Sequence, residues 1–295
     1  MLAIHPNKLQ KVVSTIQKLY PIAYADSKWD NTGLLVDSSS SSSSSSSSTS
    51  KINVLLTIDL TSSVLEEAIS KKANVILAYH PFIFRGLKSI TTADPQQRSL
   101  IKLIQHGISV YSPHTAIDAS PKGMNEWLVN GLVDDAKLQF KSKLFIEPNG
   151  KFDDEVGMGR IVELNQKVGL SSIIKNLKTH LGLKYVQLGL RSDVDSVDDV
   201  EVGKIAVCVG SGGSLFRGLK DVDLFVTGEL SHHEALFFKE SGSSVLVCNH
   251  SNTERGFLKV LKKQLESAWE EEQGKDGEQL ELFVSEKDQD PLQVV

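Results

Sequence analysis

Three of the eight histidines in this 295-residue chain stand where short apolar runs end. The runs are 74–78 before His80, 108–111 before His114, and 245–248 before His250. Each run has the length and composition of a buried β-strand. Because ligands bind beyond the carboxyl ends of the strands in parallel α/β sheets, the three imidazoles are candidates for one shared site.

Two of these histidines carry an acid four residues later: Asp118 follows His114, and Glu254 follows His250. Imidazole and carboxylate are common ligands of divalent transition metals. A single His-x-x-x-Glu is more often surface polarity or a pair on a helix. The repetition at strand ends is what favours a metal site. We expect Glu254 in the first turn of a helix, where the positive end of the helix dipole favours a carboxylate.

The predicted elements have the order that could position these residues. Strand 52–58, helix 62–72 and strand 74–78 form a βαβ unit, so their strands should be parallel. Two further helices are predicted at 96–106 and 124–130. The alternation returns after residue 203, with strands and helices predicted at 204–209, 214–219, 223–226, 232–240, 244–248 and 253–270.

We therefore predict an α/β fold of two similar three-layer α/β lobes, with the metal site in the cleft between them. The N-terminal lobe would span 1–133, an α+β connecting layer 134–202, and the C-terminal lobe, which completes the site, 203–295. Within the connecting layer, strands at 156–164 and 184–190 flank a helix at Leu170–Leu181. The apolar patch Leu280–Val284 could add an edge strand.

Two segments of the N-terminal lobe have simpler interpretations. The serine-rich stretch 38–50 offers no apolar surface and should be a flexible loop. The polar turn that begins at Trp29 leads into a short strand, and Trp29 is expected to pack in the core. Burial is also expected for residues 82–84, which read Phe-Ile-Phe.

Composition excludes several classes of protein. The net charge of −5 leaves no broad basic field for nucleic acid or an anionic membrane. No apolar run approaches the roughly 18 residues of a membrane span. Cys208 and Cys248 lie in predicted strands, which indicates buried thiols in a reducing compartment. We expect a cytoplasmic protein; residues 1–20 are the first helix of the fold or, alternatively, a mitochondrial import segment.

Five segments together resemble one known family: WDNTGLLVD, AYHPFIF, PHTAIDASPKGMN, VTGELSHHEA and CNHSNTERGFL, in this order. They resemble the Nif-three-like family, whose members are often described as GTP cyclohydrolase one type two homologues. The resemblance covers nearly the whole chain. It implies two α/β lobes around a dinuclear divalent-metal site, and a homohexameric ring.

The resemblance also implies roles for single residues. Its metal ligands correspond to His80, Asp118, His250 and Glu254, with Glu254 bridging two ions and His114 lining the site. Bacterial members have two adjacent histidines where this chain has Tyr79 and His80, so one ion should bind more weakly here. Ligation by histidine and carboxylate suits Zn, Mn, Fe or Ni and does not select among them.

Other polar residues near strand ends have two interpretations each. Asp59 could contact a metal-ligating side chain without touching the metal, or it could cap the helix that begins at Ser62. Glu229, His232 and His233 could move protons, or they could simply begin a solvated helix. The glycine-rich segment 210–214 could seat a phosphate on backbone amides, but its glycine spacing favours a plain tight turn.

These observations predict a metal-dependent hydrolase of a small, possibly nucleotide-like substrate, with one or two ions per chain. Glu229 or His233 would act as general acid or base. The alternatives are a metal-binding regulatory or chaperone-like protein without turnover, and a protein-interaction scaffold in which metal serves structure. Expected partners are the substrate, other copies of the chain and protein partners, with no membrane and no evidence for nucleic acid.

Overall fold

The computed structural model describes residues 3–41, 51–133, 140–152, 155–274 and 277–294. The part of the serine-rich stretch from residue 42 to 50 lies outside the described residues, so the prediction of a flexible loop there is not tested. The chain forms two compact units. The first contains Met1–Ile117 and Phe257–Gln289, and the second contains Asp118–Gly256 and Asp290–Val295. The division into 1–133, 134–202 and 203–295 and the cleft between lobes stay predictions.

The helices of the described residues are α1 Pro6–Leu19, α2 Ser62–Ser70, α3 Pro95–His106, α4 Thr115–Ala119, α5 Met124–Asn130, α6 Leu170–Leu181, α7 Gly213–Phe216, α8 His232–Glu240 and α9 Leu258–Gln273. The strands are β1 Gly33–Val36, β2 Ile52–Thr57, β3 Val75–Ala78, β4 Ser109–Ser112, β5 Phe140–Leu144, β6 Glu147–Pro148, β7 Gly157–Met158, β8 Arg160–Gly169, β9 Gln187–Gly189, β10 Glu201–Ser211, β11 Leu224–Glu229, β12 Ser244–Val247 and β13 Leu280–Val284.

The described part of the first unit contains a sheet with the strand order β1-β4-β3-β2-β13. Strands β13, β2, β3 and β4 are parallel, and β1 pairs antiparallel with β4. The predicted βαβ unit and the predicted edge strand at Leu280–Val284 are therefore confirmed. Helix α2 covers this sheet with Val64, Leu65 and Ala68, which pack against Leu55 and Ile76 of the strands.

Helix α1 belongs to the first unit. His5 precedes it, and its imidazole Nδ1 accepts a hydrogen bond of 3.2 Å from the backbone N–H of Asn7. Pro6 stands in the first turn, where a missing N–H does no harm. The inward face of the helix buries Leu9, Val12, Val13 and Ile16. The segment 1–20 thus contains a packed helix of the fold.

The second unit contains a sheet with the order β5-β8-β10-β11-β12-β9 among the described residues. Strands β10, β11 and β12 are parallel, as predicted, and β8, β5 and β9 flank them in antiparallel pairings. The predicted helix Leu170–Leu181 lies between β8 and β9. Mixed parallel and antiparallel pairing with helices between strands confirms the α/β class for this unit.

The two cysteines are buried and unlinked, as their strand positions predicted. Burial raises the pKa of both thiols, in the case of Cys248 to about 12, so both stay protonated at neutral pH. None of the helices in the described residues combines the length and the apolar character that a membrane span requires.

Two aromatic side chains do not lie where the sequence placed them. Phe82 is 4% exposed and packs in the core of the first unit, as expected. Trp29 and Phe84, however, are 53% and 44% exposed, so the prediction that they are buried was wrong. Polar contacts hold the Trp29 segment, and the Phe84 segment is held by the core packing of Phe82 and Ile83 together with a hydrogen bond from Asn31 to the Ile83 carbonyl.

Candidate metal centre

His80 leaves the first sheet two residues after β3 ends. Its Nδ1 lies 2.9 Å from Oδ1 of Asp59, which follows the neighbouring strand β2. Helix α2 is capped by the Thr61 hydroxyl, which accepts a hydrogen bond from the backbone N–H of Val64. Of the two interpretations of Asp59, the helix cap was therefore wrong, and the contact with a candidate ligand is confirmed.

His114 follows β4, the other neighbour of β3, so the rings of His80 and His114 lie with their centroids 5.6 Å apart. The His114 backbone has a positive φ of 34°, a strained conformation that neighbouring contacts must hold. Its Nδ1 lies 2.7 Å from Oδ1 of Asp30, and the backbone N–H and hydroxyl of Thr115 both donate to the other Asp30 oxygen.

Asp30 is buried, and burial by itself raises the pKa of a carboxyl. The hydrogen bond and positive charge of His114, with the two hydrogen bonds from Thr115, outweigh burial and hold the pKa of Asp30 below its usual value. Asp30 is therefore an anion behind His114 at neutral pH. Sequence analysis missed this residue, although it stands in the quoted segment WDNTGLLVD.

Tyr79 packs against both His80 and His114. Its side chain is 1% exposed, and its ring lies 4.9 Å from the His80 ring and 5.4 Å from the His114 ring, measured between centroids. The three rings thus form one cluster, in which each ring contacts the other two. The predicted weaker second metal site at this position stays a prediction.

His250 and Glu254 lie together in the second unit. The His250 Nε2 is 3.3 Å from Oε1 of Glu254, and its Nδ1 is 3.0 Å from Oε1 of Glu229. Glu229 is the last residue of β11, the neighbour of β12, after which His250 follows. Glu254 is 1% exposed, so its carboxylate is out of contact with water in this unit.

The expectation that Glu254 lies in the first turn of the long helix was wrong. Glu254 lies between two short 3₁₀ turns, Ser251–Thr253 and Arg255–Phe257, and α9 begins only at Leu258. A tertiary contact explains the difference: the Thr253 hydroxyl donates to the His250 carbonyl (2.7 Å) and accepts from the backbone N–H of Gly210 (2.9 Å). These bonds hold a tighter turn than an α-helix allows.

Two glycines permit this packing. Gly210 has a positive φ of 62°, and a Cβ there would lie 2.8 Å from Oε1 of Glu254 and 2.9 Å from Nε2 of His250. A Cβ on Gly228 would meet the His250 backbone at 2.8 Å. The backbone of β10 and β11 thus approaches the two side chains as closely as glycine permits. The segment 210–214 joins β10 to α7, and its Gly210 amide is used by Thr253, so the choice between a tight turn and a phosphate seat stays a prediction.

Asp118 lies in α4 and is 6% exposed. Its carbonyl accepts a hydrogen bond of 3.1 Å from the side-chain amide of Asn125, and the Asn125 carbonyl oxygen accepts one of 3.0 Å from the Val209 N–H. Asn125 is fully buried, so it ties the turn that carries Asp118 to β10. Asn125 was not predicted to support the site, although it is the last residue of the quoted segment PHTAIDASPKGMN.

The predicted acid–base residues, Glu229 and His233, lie in different surroundings. Glu229 contacts His250, as stated above. His233 is exposed in the first turn of α8, a helix that begins with Ser231 and Glu234 in a reciprocal capping box. The His232 and His233 rings pack edge to face with centroids 5.3 Å apart. The start of a capped helix accounts for both histidines, and a role in proton transfer for His233 stays a prediction.

One pattern is common to His80, His114 and His250. In each, Nδ1 lies within 3.0 Å of a carboxylate oxygen, from Asp59, Asp30 and Glu229 respectively. Metal-binding histidines in proteins almost always have such a partner, because it fixes the tautomer and the ring orientation. These donors therefore fit a divalent transition metal, which would be met by the Nε2 atoms and by the buried carboxylates.

A family model for Duf34/NIF3 (NGG1p interacting factor 3) matches residues 7–291. The chain belongs to this family. It is 47% identical to NGG1-interacting factor 3 of Saccharomyces cerevisiae over 99% of both chains, and 46% identical to Protein NIF3 homolog of Schizosaccharomyces pombe over 97% of this chain and 96% of that one. NIF3-like protein 1 of Homo sapiens is 31% identical over 97% of this chain and 92% of its own length.

Solved structures share the fold. Protein SA1388 of Staphylococcus aureus superimposes with a TM-score of 0.76 at 23% identity, covering 97% of this chain and 99% of that one. Reduced HcgD from Methanocaldococcus jannaschii gives a TM-score of 0.70 at 21% identity over 94% and 97% of the two chains. The resemblance to the Nif-three-like family and the α/β class are thus confirmed.

Proposed function

We propose that this member of the Duf34/NIF3 family holds one or two divalent metal ions and hydrolyses a small substrate at that site. The ligands would include His80 of the first unit and His250 and Glu254 of the second, which offer two imidazoles and one carboxylate. His114 and Asp118 would complete the set. The observation that carries the proposal is the pairing of each of the three histidines with a carboxylate at Nδ1.

The residues divide into those that would meet the metal and those that hold them. Asp59, Asp30 and Glu229 hold the imidazoles in one tautomer and one orientation. Asn125 and Thr253 hold the backbone that carries Asp118 and His250. A bound divalent ion supplies Lewis acidity and lowers the pKa of water at the site to near neutrality. We assign Glu229 first to orienting His250, which it contacts directly.

The donor set suits Zn, Mn, Fe or Ni, since imidazole and carboxylate are shared by all of these ions. It contains no thiolate, because both cysteines are buried and protonated. A hydrolase is preferred to a storage protein because the donors lie at strand ends, where α/β proteins bind ligands.

Metal analysis of protein purified without chelator tests the site. Wild type should contain stoichiometric divalent metal, and Glu254→Ala should lose most of it, because this buried carboxylate lies 3.3 Å from His250. Glu266→Ala serves as the matched control, since Glu266 is half-exposed on α9 and forms an ion pair of 3.7 Å with Lys262 of the same helix.

The same three preparations then test hydrolysis in a screen of phosphate esters and nucleotides with the identified metal restored. Wild type and Glu266→Ala should turn over a common substrate, and Glu254→Ala should be at least a hundredfold slower. Equal metal content in Glu254→Ala and wild type would contradict the site. Full metal binding without turnover of any compound would favour the non-catalytic alternative.

A further inference from the structure

Trp29 and Phe84 form an exposed aromatic pair in the first unit. Their ring centroids are 6.1 Å apart with an angle of 55° between the planes. They are 53% and 44% exposed. Burial of large aromatic side chains lowers the free energy, so two adjacent exposed rings are a candidate binding surface.

Polar contacts fix the Trp29 ring in this exposed position. Its indole N–H donates to Oδ2 of Asp26 (2.9 Å), and the other oxygen of Asp26 accepts from the backbone of Lys28 (3.1 Å). The Asp26 N–H in turn donates to the hydroxyl of Thr115 (3.0 Å), the residue after His114. The ring is thus preorganised without being covered, which reduces the entropy lost when a ligand stacks on it.

The pair lies beside a residue of the proposed metal site. The Trp29 ring meets the His114 ring edge to face, with 5.8 Å between centroids. On the Phe84 side, the side chain of Asn31 donates to the Ile83 carbonyl, so both aromatic residues are tied to the same turn. A ligand ring on this surface would therefore have its reacting groups next to His114.

The acids nearest the pair, Asp26 and Asp30, are engaged in hydrogen bonds to Trp29, His114 and Thr115, and the exposed charges of these two segments are basic. Lys28 precedes Trp29, Arg85 follows Phe84, and Lys88 lies in the same segment; all three are exposed. In a chain of net charge −5, basic residues on both sides of an aromatic pair favour a ligand that combines a flat ring with an anionic group.

We infer that Trp29 and Phe84 form a stacking subsite for the planar ring of an anionic substrate, with the nucleoside monophosphates as its chemical class. The inference rests on the proposed function in that the ring would be placed beside His114. Stacking of a base on an aromatic side chain is sequence-tolerant and contributes about tenfold or more in affinity, because every base has a flat π-face.

Titration of the whole protein with AMP, GMP, CMP and UMP tests the subsite, with ribose 5-phosphate as the ring-free probe. Calorimetry measures affinity, and tryptophan emission reports the contact, since Trp29 is exposed whereas Trp127 is partly buried and Trp269 is 5% exposed. At least one nucleotide should bind tenfold more tightly than ribose 5-phosphate and quench the emission. Trp29→Leu and Phe84→Leu should each reduce this preference about tenfold, whereas Trp29→Phe should keep most of it.

Phe237→Leu is the matched control, because Phe237 is 61% exposed on α8 in the other unit. Metal content is measured in every variant and should not change. Nucleotides that bind no more tightly than ribose 5-phosphate, or that bind Trp29→Leu as well as wild type, would overturn the subsite. So would a change of oligomeric state in Trp29→Leu without a change in nucleotide affinity.

Failure of the two proposals can be distinguished. If the protein contains stoichiometric metal but binds nucleotides no more tightly than ribose 5-phosphate, only the stacking subsite is refuted. Ring binding that depends on Trp29 in a protein that never holds metal refutes the proposed function and leaves the subsite.

Discussion

Gly210 is the residue whose missing side chain matters most for the candidate centre. Its φ of +62° is one that residues with a Cβ rarely adopt, and the space beside it is filled by the Glu254 carboxylate and the His250 imidazole. Glu254 is buried, so its carboxylate cannot swing away into water. Backbone strain and steric contact therefore both act at this position, and they can be separated by experiment.

We predict that Gly210→Ala loses metal affinity at least tenfold, and that Gly182→Ala does not. Gly182 has a similar φ of +69° but nothing within 4 Å of its would-be Cβ, so it carries the strain alone. Both variants should lose about 1 kcal/mol of unfolding free energy or more from the left-handed backbone. Denaturant unfolding and metal titration measure the two effects, and equal metal affinity in both variants would show that the contact at Gly210 is harmless.

Between elements, a short chain of hydrogen bonds connects the segments that carry the candidate ligands of the second unit. Helix α5 contributes Asn125, which bonds the Asp118 carbonyl and the Val209 N–H. The next residue of β10, Gly210, bonds Thr253, and Thr253 bonds the His250 carbonyl. The spacing of Asp118 and His250 thus depends on buried hydrogen bonds to one strand.

We predict that Asn125→Ala weakens metal binding about tenfold and costs about 2 kcal/mol or more of unfolding free energy, because two buried backbone groups lose their partner. Asn130→Ala, at an exposed position of the same helix, is the control and should change neither quantity. A loss of stability with unchanged metal affinity, measured by titration of metal-free protein, would reduce Asn125 to a purely structural role.

The helices and strands also show which features the sequence could predict. The patterns of α5 and α8 gave the observed bounds Met124–Asn130 and His232–Glu240, because apolar periodicity and caps are local signals. Strand β5 was missed because FKSKL has no apolar run and forms an edge through pairing with β8. Glu254 was misplaced because a contact from Gly210, over 40 positions away, decides its local conformation.

The candidate ligands were proposed from local sequence patterns, and their role as ligands stays a prediction; the residues that support them were not found from the sequence. The strand-end histidines and their acids stand in fixed local patterns. Their partners Asp30 and Asn125 act over 84 positions in sequence, so no local pattern marks them. The exposure of Trp29 could not be predicted for the same reason, because the burial of a side chain depends on tertiary contacts that are distant in sequence.

At the scale of the whole molecule, the first unit is built from two separate stretches of the chain, Met1–Ile117 and Phe257–Gln289. Strand β13 pairs with β2, and the segment after it is tied down by buried carboxylates. Glu67, 8% exposed, accepts hydrogen bonds from the N–H groups of Glu286 (3.0 Å) and Lys287 (3.3 Å). Asp288 accepts one of 2.7 Å from the Ile58 N–H, just after β2. Residues 280–288 are therefore a structural part of this unit.

We predict that deletion of residues 277–295 lowers the melting temperature by more than 10 °C, since it removes an edge strand and leaves the buried Glu67 without these partners. Deletion of 291–295 alone is the control, because residues 291–294 are exposed. Calorimetry of both truncated chains measures the effect. A long deletion as stable as the short one would show that β13 is an accessory to the sheet.

The late position of β13 matters for how the chain is made. The ribosome releases residues 118–256 of the second unit as one continuous stretch, so that sheet can assemble while synthesis continues. The first unit must wait for Leu280–Val284, and until then β2 presents an open edge of unpaired amides and carbonyls beside buried apolar side chains. A nascent chain that stalls in α9 would therefore expose β2 as an aggregation-prone edge strand. Pairing with β13 covers that edge.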